Sequence, residues 1–557
     1  MNISPRPALL GLMLLLVIAV FAGWISPTVS TASADGLVLV RIRAATSAEG
    51  LRLAHLGLDL MEARDGDDLF AIVTPTQQQM LLDAGWDVRI NPEQPASLTQ
   101  SAALQATVAG YRSVDDTNAW LKAQAEAFPN LTTLVDIGDS WEKITPDGAA
   151  GDDLWALRIT NKAISGDKPI FFLMAAIHAR ELTTSELATR FIDWLLQGYG
   201  HNADITWLLD EHEIVVLPIA NPDGRRIAEQ GISQRKNTNH THGPANCGTS
   251  VENWQIGVDL NRNFGFEWGT INSPVGTLPC ELTYPGPTAV SEPETQALQA
   301  FMQSLFTGRS APTDDNPAPR DSTGLMITLH SFSDLVLWPW GFTEIPAPNS
   351  EELARLGKRL ASFNGYTPSQ SIGLYPTSGT TDDWSYGTLG VASFTFEVGP
   401  DWGECAFFMP PASCLDGGVG GNFWGRNLPA FVYAARVARA PYTQPFGPEF
   451  SNIYATWRGD TLYIRAKVAV NTAVTSADLF LGQSPSRGGV GRPFAANDGK
   501  FDAPTEEIYV SVPAADLAGV PYLLMQATNV DGLRGPIFAL NIPEQRGYTL
   551  ALPLLIR

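Results

Sequence analysis

Two histidines and two glutamates directly follow apolar segments that read as buried strands. His178 and Glu181 follow PIFFLMAAI, His330 follows LMITL, and Glu397 follows SFTF. In open α/β sheets, ligands collect outside the carboxyl ends of the strands, so we expect these four side chains at one sheet edge. Two imidazoles and one carboxylate are a ligand set of catalytic zinc, which keeps a fourth position for water. Zinc acidifies that water and polarises a carbonyl, and Glu397 is then available as the general base.

Each of these residues also has an ordinary structural interpretation. His178 alone fits a buried, hydrogen-bonded histidine, and Glu397 alone fits a glutamate at the core edge paired with an arginine. The spacing of His178 and Glu181 recurs at His201 and Asp204, but that pair lies in a polar segment typical of a surface. The positions of two histidines at strand ends favour a metal site.

Five motifs resemble, in the same order, those of the zinc carboxypeptidase family of the A/B type. They are HARE (178–181), GVDLNRNFG (257–265), LHSFSDLVLWPWG (329–341), SGTTDDWSYG (378–387) and SFTFEVG (393–399). The resemblance implies one zinc ion per chain, bound by His178, Glu181 and His330. It also implies hydrolysis of the C-terminal bond of peptides and proteins, with Glu397 activating the water and passing its proton to the leaving amine.

The same resemblance implies roles in holding the substrate. Arg235 in QRKNTN matches the arginine that stabilises the carbonyl oxyanion, although glutamine replaces the aromatic residue that precedes it in the family. Asn261 and Arg262 match the residues that hold the substrate carboxylate, a group that arginine binds with two hydrogen bonds. A salt bridge is the alternative for Arg262 alone. Tyr375 matches the mobile tyrosine that closes over the substrate, and Asp259 resembles the partner that orients the first zinc histidine.

Asp382 matches the residue at the base of the family's specificity pocket. The branch that prefers hydrophobic side chains has an aliphatic residue there, whereas the branch that prefers Lys or Arg has Asp in a similar DDW context. A buried carboxylate is costly unless a cation meets it, so the resemblance implies removal of C-terminal Lys or Arg. A hydrated or internally paired Asp382 would also admit apolar residues, and a residue that only caps a turn would not select at all.

The elements that position these side chains follow from the apolar pattern. Continuous apolar runs separated by helices predict an α/β fold over 105–440, with a mixed, mostly parallel sheet covered on both faces. One helix is expected to begin at Thr183 with a threonine cap. Residues 35–100 predict a small α+β module of βαββαβ order and a linker. This module resembles the family's prosegments, which cover the cleft; an accessory domain is the alternative. Alternating segments predict an all-β sandwich over 445–545.

The N-terminus predicts export. Residues 1–34 combine an apolar stretch, Leu9–Ile25, with the cleavage signature Ala32–Ala34. An uncleaved anchor is the alternative, because the stretch is at the lower limit for a membrane span. We expect a secreted protein with no membrane span after signal removal.

Four cysteines in an exported chain predict two disulfides. Three pairings are possible, and Cys405–Cys414 with Cys247–Cys280 is the simplest.

Composition excludes some function classes. The 557 residues include 36 Lys and Arg against 58 Asp and Glu, a formal charge of −22. A nucleic-acid partner would require a basic face, which this chain does not show. The alternatives to a secreted carboxypeptidase are a cell-wall peptide amidopeptidase on the same scaffold and a non-catalytic surface-binding protein. The sequence does not indicate an oligomeric state.

Overall fold

The structure is a computed structural model that describes residues 36–92, 108–145, 150–243, 255–271, 279–544 and 550–551. The predicted signal peptide, most of the predicted linker and Cys247 lie outside these ranges. The described strands form four sheets. No helix within these ranges is both long and apolar enough to cross a membrane.

The N-terminal part is a four-stranded sheet with two helices, in the predicted βαββαβ order. Its elements are β1 Val38–Arg43, α1 Ser47–Ala54, β2 Asp59–Asp65, β3 Asp68–Val73, α2 Pro75–Asp83 and β4 Val88–Ile90. The strand order is β2-β3-β1-β4, and every neighbouring pair is antiparallel. Both helices begin with a capping box, at Thr46 and at Thr74, in which side chains satisfy backbone donors of the first turn.

The central part is an eight-stranded mixed sheet. Its strands are β5 Thr132–Asp139, β6 Asp153–Ile159, β7 Ile170–Ala175, β8 Glu213–Leu217, β9 Leu325–His330, β10 Leu335–Trp338, β11 Thr367–Gln370 and β12 Ala392–Glu397. The order is β11-β10-β12-β9-β7-β8-β6-β5, with β9 parallel to both of its neighbours, β7 and β12. The carboxyl ends of these three central strands therefore meet at one edge.

Helices cover both faces of this sheet. They are α3 Val114–Ala127, α4 Trp141–Ile144, α5 Leu182–Gly198, α6 Ala203–Glu211, α7 Pro222–Ala228, α8 Pro293–Leu305, α9 Ser350–Asn364, α10 Thr381–Leu389 and α11 Phe423–Val437. Alternate residues of β7 point to opposite faces, as a strand requires. Phe171 packs with residues of α5, α9 and α11, whereas Phe172 packs with residues of α8 and α10. The predicted fold class is confirmed.

Helix α5 begins differently from the prediction. It starts at Leu182, and Glu181 rather than a threonine occupies its N-cap position. The hydroxyl of Thr184 accepts a hydrogen bond from the backbone of Ala176, 3.1 Å away, and donates to the carbonyl of Glu181 at 2.7 Å. This threonine therefore joins the end of β7 to the start of α5, and it places Glu181 where the helix dipole favours an anion.

The C-terminal part contains two antiparallel sheets, β17-β18-β14-β13-β21 and β16-β15-β19-β20. Their strands are β13 Glu449–Arg458, β14 Thr461–Ala469, β15 Val474–Leu481, β16 Arg492–Pro493, β17 Ala495–Ala496, β18 Thr505–Pro513, β19 Leu523–Asn529, β20 Phe538–Leu540 and β21 Leu550–Ala551. Phe480, Tyr522 and Leu524 belong to the same apolar cluster as the residues of α5 and α11. The C-terminal part therefore shares a core with the central sheet.

One predicted disulfide is present. Cys405 and Cys414 are bonded, which confirms that pairing. The second pairing involves Cys247, which is not among the described residues. Phe407 and Phe408, inside the loop closed by the bond, pack against Phe332 at centroid distances of 5.2 and 5.1 Å. The disulfide therefore closes a loop that lies against the strand end carrying His330.

Candidate active site

Three predicted metal ligands converge at the carboxyl ends of β7 and β9. Nδ1 of His178 lies 2.7 Å from Oε1 of Glu181 and 3.1 Å from Nδ1 of His330. Nδ1 of His330 lies 3.2 Å from Oε2 of Glu181, and all three residues are buried. Two ring nitrogens and a carboxylate that face one another in this way are the donor types that Zn²⁺ prefers. The residues present therefore fit a zinc ion.

Asp259 orients the first histidine. Its Oδ1 lies 3.2 Å from Nε2 of His178, and its Oδ2 accepts a hydrogen bond of 3.0 Å from Nε of Arg235. When Nε2 of the histidine donates to this carboxylate, the lone pair of Nδ1 is left for a metal. Burial alone would raise the pKa of Asp259, but Arg235 and His178 outweigh burial and hold it well below its usual range. Asp259 is therefore an anion at neutral pH.

Glu181 is also held in its charged form. Burial alone would raise the pKa of this carboxyl, but His178 and His330 outweigh burial and lower it below its usual range. Oε2 also accepts a hydrogen bond of 3.3 Å from the backbone of Ser331. An ionised ligand is ready to bind a cation without first losing a proton.

Glu397 lies beside the ligands. It ends β12, where it is the register partner of His330 on β9, and only 4% of its surface is exposed. It lines the same cavity as His178. The strand-end prediction therefore placed both histidines and both glutamates at one sheet edge, as the structure has them.

A cavity of about 40 Å³ brings the predicted residues together. Every predicted catalytic, substrate-binding and metal residue except Glu181 lines it; they are His178, Arg235, Asn261, Arg262, His330, Tyr375, Asp382 and Glu397. Glu181 lies behind the two histidines, fully buried.

Arg262 has capacity left for an anion. Its Nη1 donates to the carbonyl of Asn261 at 2.9 Å, and its Nη2 lies 3.4 Å from the hydroxyl of Tyr375. Within the described part of the chain, its buried Nε has no hydrogen-bond acceptor. Asn261 is fixed in turn, because its Oδ1 accepts a hydrogen bond from the backbone of Thr381 at 2.9 Å. A buried donor without a protein acceptor at the cavity wall is suited to a bound carboxylate.

Asp382 lies in the first turn of α10 and is 4% exposed. Its Oδ2 accepts a hydrogen bond from the hydroxyl of Ser371 at 3.0 Å. The adjacent Asp383 turns away and accepts bonds of 3.1 and 3.0 Å from the backbone of Gly341. Burial and the neighbouring Asp382 raise the pKa of Asp383 well above its usual range. Of the two adjacent aspartates, only Asp382 therefore lines the cavity.

Sequence reasoning missed Ser371 and Arg180. Arg180 stands between the two N-terminal ligands in the chain and forms a fully buried ion pair with Asp59, at 3.1 and 3.2 Å. Its guanidinium carbon lies 3.6 Å from the ring centroid of Phe408. The position of Arg180 within HARE was a signal that could have marked it. Its partner lies 121 residues away, and no local pattern marks such a distance.

Residues 117–418, more than half of the chain, match the model of a family described as zinc carboxypeptidase. The zinc carboxypeptidase of Saccharothrix mutabilis subsp. capreolus is 28% identical over 428 residues, which are 72% of this chain and 90% of that protein. Human carboxypeptidase B is 30% identical over 308 residues, covering 54% of this chain and 65% of that protein. The solved structure of carboxypeptidase A from Helicoverpa armigera superposes with a TM-score of 0.57 at 22% identity, covering 73% and 98% of the two chains.

Zinc should stabilise the folded protein through the three converging ligands. A ligand that binds only the folded state at 100 times its Kd adds about 2.7 kcal/mol to the free energy of unfolding. We expect added zinc to raise the unfolding temperature of the chelated protein, measured by differential scanning fluorimetry.

The variant His330→Ala should lose most of that zinc-dependent rise. His201→Ala, at an exposed histidine, is the matched control and should keep it. An equal rise in both variants would show that zinc binds elsewhere.

Proposed function

The chain belongs to the zinc carboxypeptidase family, and we propose on that premise that it removes C-terminal Lys or Arg residues from peptides and proteins outside the cell. The observation that carries the basic preference is the buried carboxylate of Asp382 in the cavity wall, which accepts a hydrogen bond from Ser371 and forms no salt bridge with another described residue. Relatives of both the A and the B type match at similar identity, so their names do not choose a preference. The chemistry of the pocket therefore supports the choice.

We assign the hydrolytic step to Glu397 and Arg235. Bound at His178, Glu181 and His330, zinc supplies a Lewis acid that polarises the scissile carbonyl and lowers the pKa of water. Glu397 takes a proton from the attacking water and delivers it to the leaving amine. Arg235 stabilises the negative charge that develops on the carbonyl oxygen, and this stabilisation is larger in the transition state than in the ground state. Asp259 holds that arginine at 3.0 Å, so it is placed before the substrate binds.

We assign the terminal carboxylate to Asn261, Arg262 and Tyr375. The guanidinium of Arg262 is buried, and arginine binds carboxylates with two parallel hydrogen bonds. Tyr375, whose hydroxyl lies 3.4 Å from Nη2 of Arg262, closes the cavity over this point. A substrate without a free carboxylate leaves the arginine unpaired, which explains why such a site selects the chain end.

The N-terminal part, residues 36–92, acts in this proposal as a cover of the cleft. Leu374 and Tyr375 pack in one apolar cluster with its residues, including Leu60. The buried ion pair of Asp59 with Arg180 adds a charged contact directly behind the zinc ligands. A peptide that extends from the cavity would have to displace this part of the chain.

Export completes the proposal. The sequence carries a leader with an apolar core and a cleavage signature, and the disulfide Cys405–Cys414 would persist only in an oxidising compartment. A non-catalytic binding protein is not favoured, because the full set of predicted catalytic, metal and substrate residues surrounds one cavity.

The variant Glu397→Gln should retain zinc and lose activity by at least about 10²-fold, because the amide cannot accept the proton. Bound zinc is measured by elemental mass spectrometry, and turnover is measured on blocked dipeptides. Glu449→Gln, at a carboxylate that pairs with Arg359 near the C-terminal sheets, is the control. If Glu397→Gln turned over at a tenth of the parent rate or faster, another base would carry the step.

The variant Asp382→Ile should reverse the preference between blocked dipeptides that end in Arg and in Phe. Loss of one partner of a buried charge pair costs about 2–5 kcal/mol, which is about 30-fold or more in kcat/KM for the Arg substrate. Asp383→Asn is the matched control, since it changes the adjacent aspartate, which lies outside the cavity wall, and keeps Asp382. An unchanged ratio of Arg to Phe hydrolysis in Asp382→Ile would remove the basis for a basic preference.

The variant Asp59→Asn should raise the activity of the uncleaved protein. Breaking a buried ion pair leaves Arg180 uncompensated, at a cost of about 3–5 kcal/mol, and so loosens the cover. Asp65→Asn, which removes an exposed ion pair with Arg41, should not have this effect. Activity is compared before and after limited proteolysis of the linker; after cleavage, all three proteins should be equally active. Equal activity of parent and Asp59→Asn before cleavage would contradict the covering role.

A further inference from the structure

Glu292 is a buried carboxylate that the catalytic assignments leave unused. It occupies the N-cap position of α8, yet its side chain does not cap that helix. It is fully buried and is not part of the cavity wall. Oε2 accepts hydrogen bonds from the side-chain amides of Asn237 at 2.7 Å and Asn239 at 2.9 Å, and Oε1 accepts one from Ser291 at 2.7 Å. A buried carboxyl group that accepts three hydrogen bonds has its polar atoms satisfied by the surrounding protein.

The hydrogen bond from Asn237 connects Glu292 to the loop of Arg235. Asn237 stands two residues after Arg235, and its Oδ1 accepts a hydrogen bond of 2.8 Å from the backbone of Val258. Val258 directly precedes Asp259, which holds Arg235 from the other side. A Cβ at Gly257 would meet the carbonyl oxygen of Asn237 at 2.0 Å, so the two loops touch without room for a side chain.

The contact with Ser291 connects Glu292 to the loop of Arg262. Asn263 directly follows Arg262, and its Oδ1 accepts a hydrogen bond of 3.2 Å from the backbone of Glu292. Its Nδ2 donates to the hydroxyl of Ser291 at 3.0 Å, and that hydroxyl donates in turn to Glu292. The loop of Arg235 therefore contacts the side chain of Glu292 through Asn237, whereas the loop of Arg262 contacts the backbone of Glu292 directly and its carboxyl group through Ser291.

A second buried carboxyl group lies beside Glu292. Glu294, in the first turn of α8, accepts hydrogen bonds from the backbone of Trp141 at 2.9 Å and from Asn237 at 3.2 Å. Burial and the charge of Glu292 raise the pKa of Glu294 to about 8. The side-chain amide of Asn237 therefore donates to both carboxyl groups, at 2.7 Å to Glu292 and at 3.2 Å to Glu294.

We propose that Glu292 is a positioning residue for the hydrolysis: its carboxylate fixes the loops of Arg235 and Arg262 at one distance from each other, so that the oxyanion and the terminal carboxylate of one substrate are bound together. The proposal rests on the roles assigned to the two arginines under the proposed function. A displacement of about 1 Å in a positioning group can cost about 10² in rate, because binding energy is then no longer aligned with the reacting bond.

The variant Glu292→Gln tests this in the whole protein, assayed after cleavage of the linker by limited proteolysis. The amide keeps the volume and replaces one accepting oxygen of the carboxyl group with a donor. We expect KM for a blocked dipeptide ending in Arg to rise and kcat to fall, with a combined loss in kcat/KM of about 10- to 100-fold and unchanged zinc content. Asn239→Ala, which removes one of the two amide donors, is a milder variant and should show the same split with a smaller loss.

Double variants separate positioning from general stability. Once Arg262→Ala has removed the carboxylate anchor, Glu292→Gln should raise KM no further, and once Arg235→Ala has removed the oxyanion partner, it should lower kcat no further. Glu449→Gln, another largely buried carboxylate with two partners, is the control and should leave both constants unchanged.

The outcomes distinguish failure of the positioning role of Glu292 from failure of the proposed function. Suppose that Arg262→Ala raises KM and Arg235→Ala lowers kcat. If Glu292→Gln then changes neither constant in the parent protein, or changes both by its full factor in the two arginine variants, the positioning role is overturned while the proposed function stands. If the arginine variants themselves leave KM and kcat unchanged, the proposed function fails and the positioning role fails with it.

Discussion

The carboxylate of Glu181 lies inside the protein between two imidazoles, and much of the central fold serves to hold it there. Burying an anion costs several kcal/mol unless positive partners meet it. Two of these partners arrive because β7 and β9 are adjacent and parallel, so that His178 and His330 leave their strands at one edge. The third source is the N-terminus of α5, whose dipole begins at Glu181 itself. The order of the strands, the start of α5 and the choice of ligand residues therefore all meet one requirement, which is to stabilise the buried carboxylate of Glu181.

From Glu181 outward, acidic and basic side chains alternate in the buried site. Glu181 contacts His178, His178 contacts Asp259, and Asp259 contacts Arg235. Each group has a neighbour of opposite or complementary character, which lets a nearly water-free region hold several ionisable side chains. The electrostatic order of the site is thus established by the protein alone, before a substrate enters.

The sequence predicted the parts of this arrangement that depend on local pattern. A polar residue after a continuous apolar run marks a strand end, so His178 and Glu397 could be placed at one sheet edge without a structure. The start of α5 was predicted wrongly, because threonine is the better cap in isolation, whereas the metal ligand occupies the position here. The pair of Asp59 with Arg180 could not be foreseen, since contacts between distant segments depend on how the sheets pack. The resemblance to a family supplied the substrate arginines, which have no periodic signal of their own.

The C-terminal sheets contribute to more than their own core. Tyr522 donates a hydrogen bond to Asp210 at 3.1 Å, Arg487 donates to Glu211 at 2.7 Å, and the ring of Phe480 lies in the apolar cluster of the central part. Removal of these sheets would leave α6 with buried carboxylates and apolar side chains facing water. These contacts therefore couple the stability of the two parts. The boundary near residue 440 is a change of architecture along the chain, but contacts of the described residues cross it. A shorter enzyme that ended there would lose them.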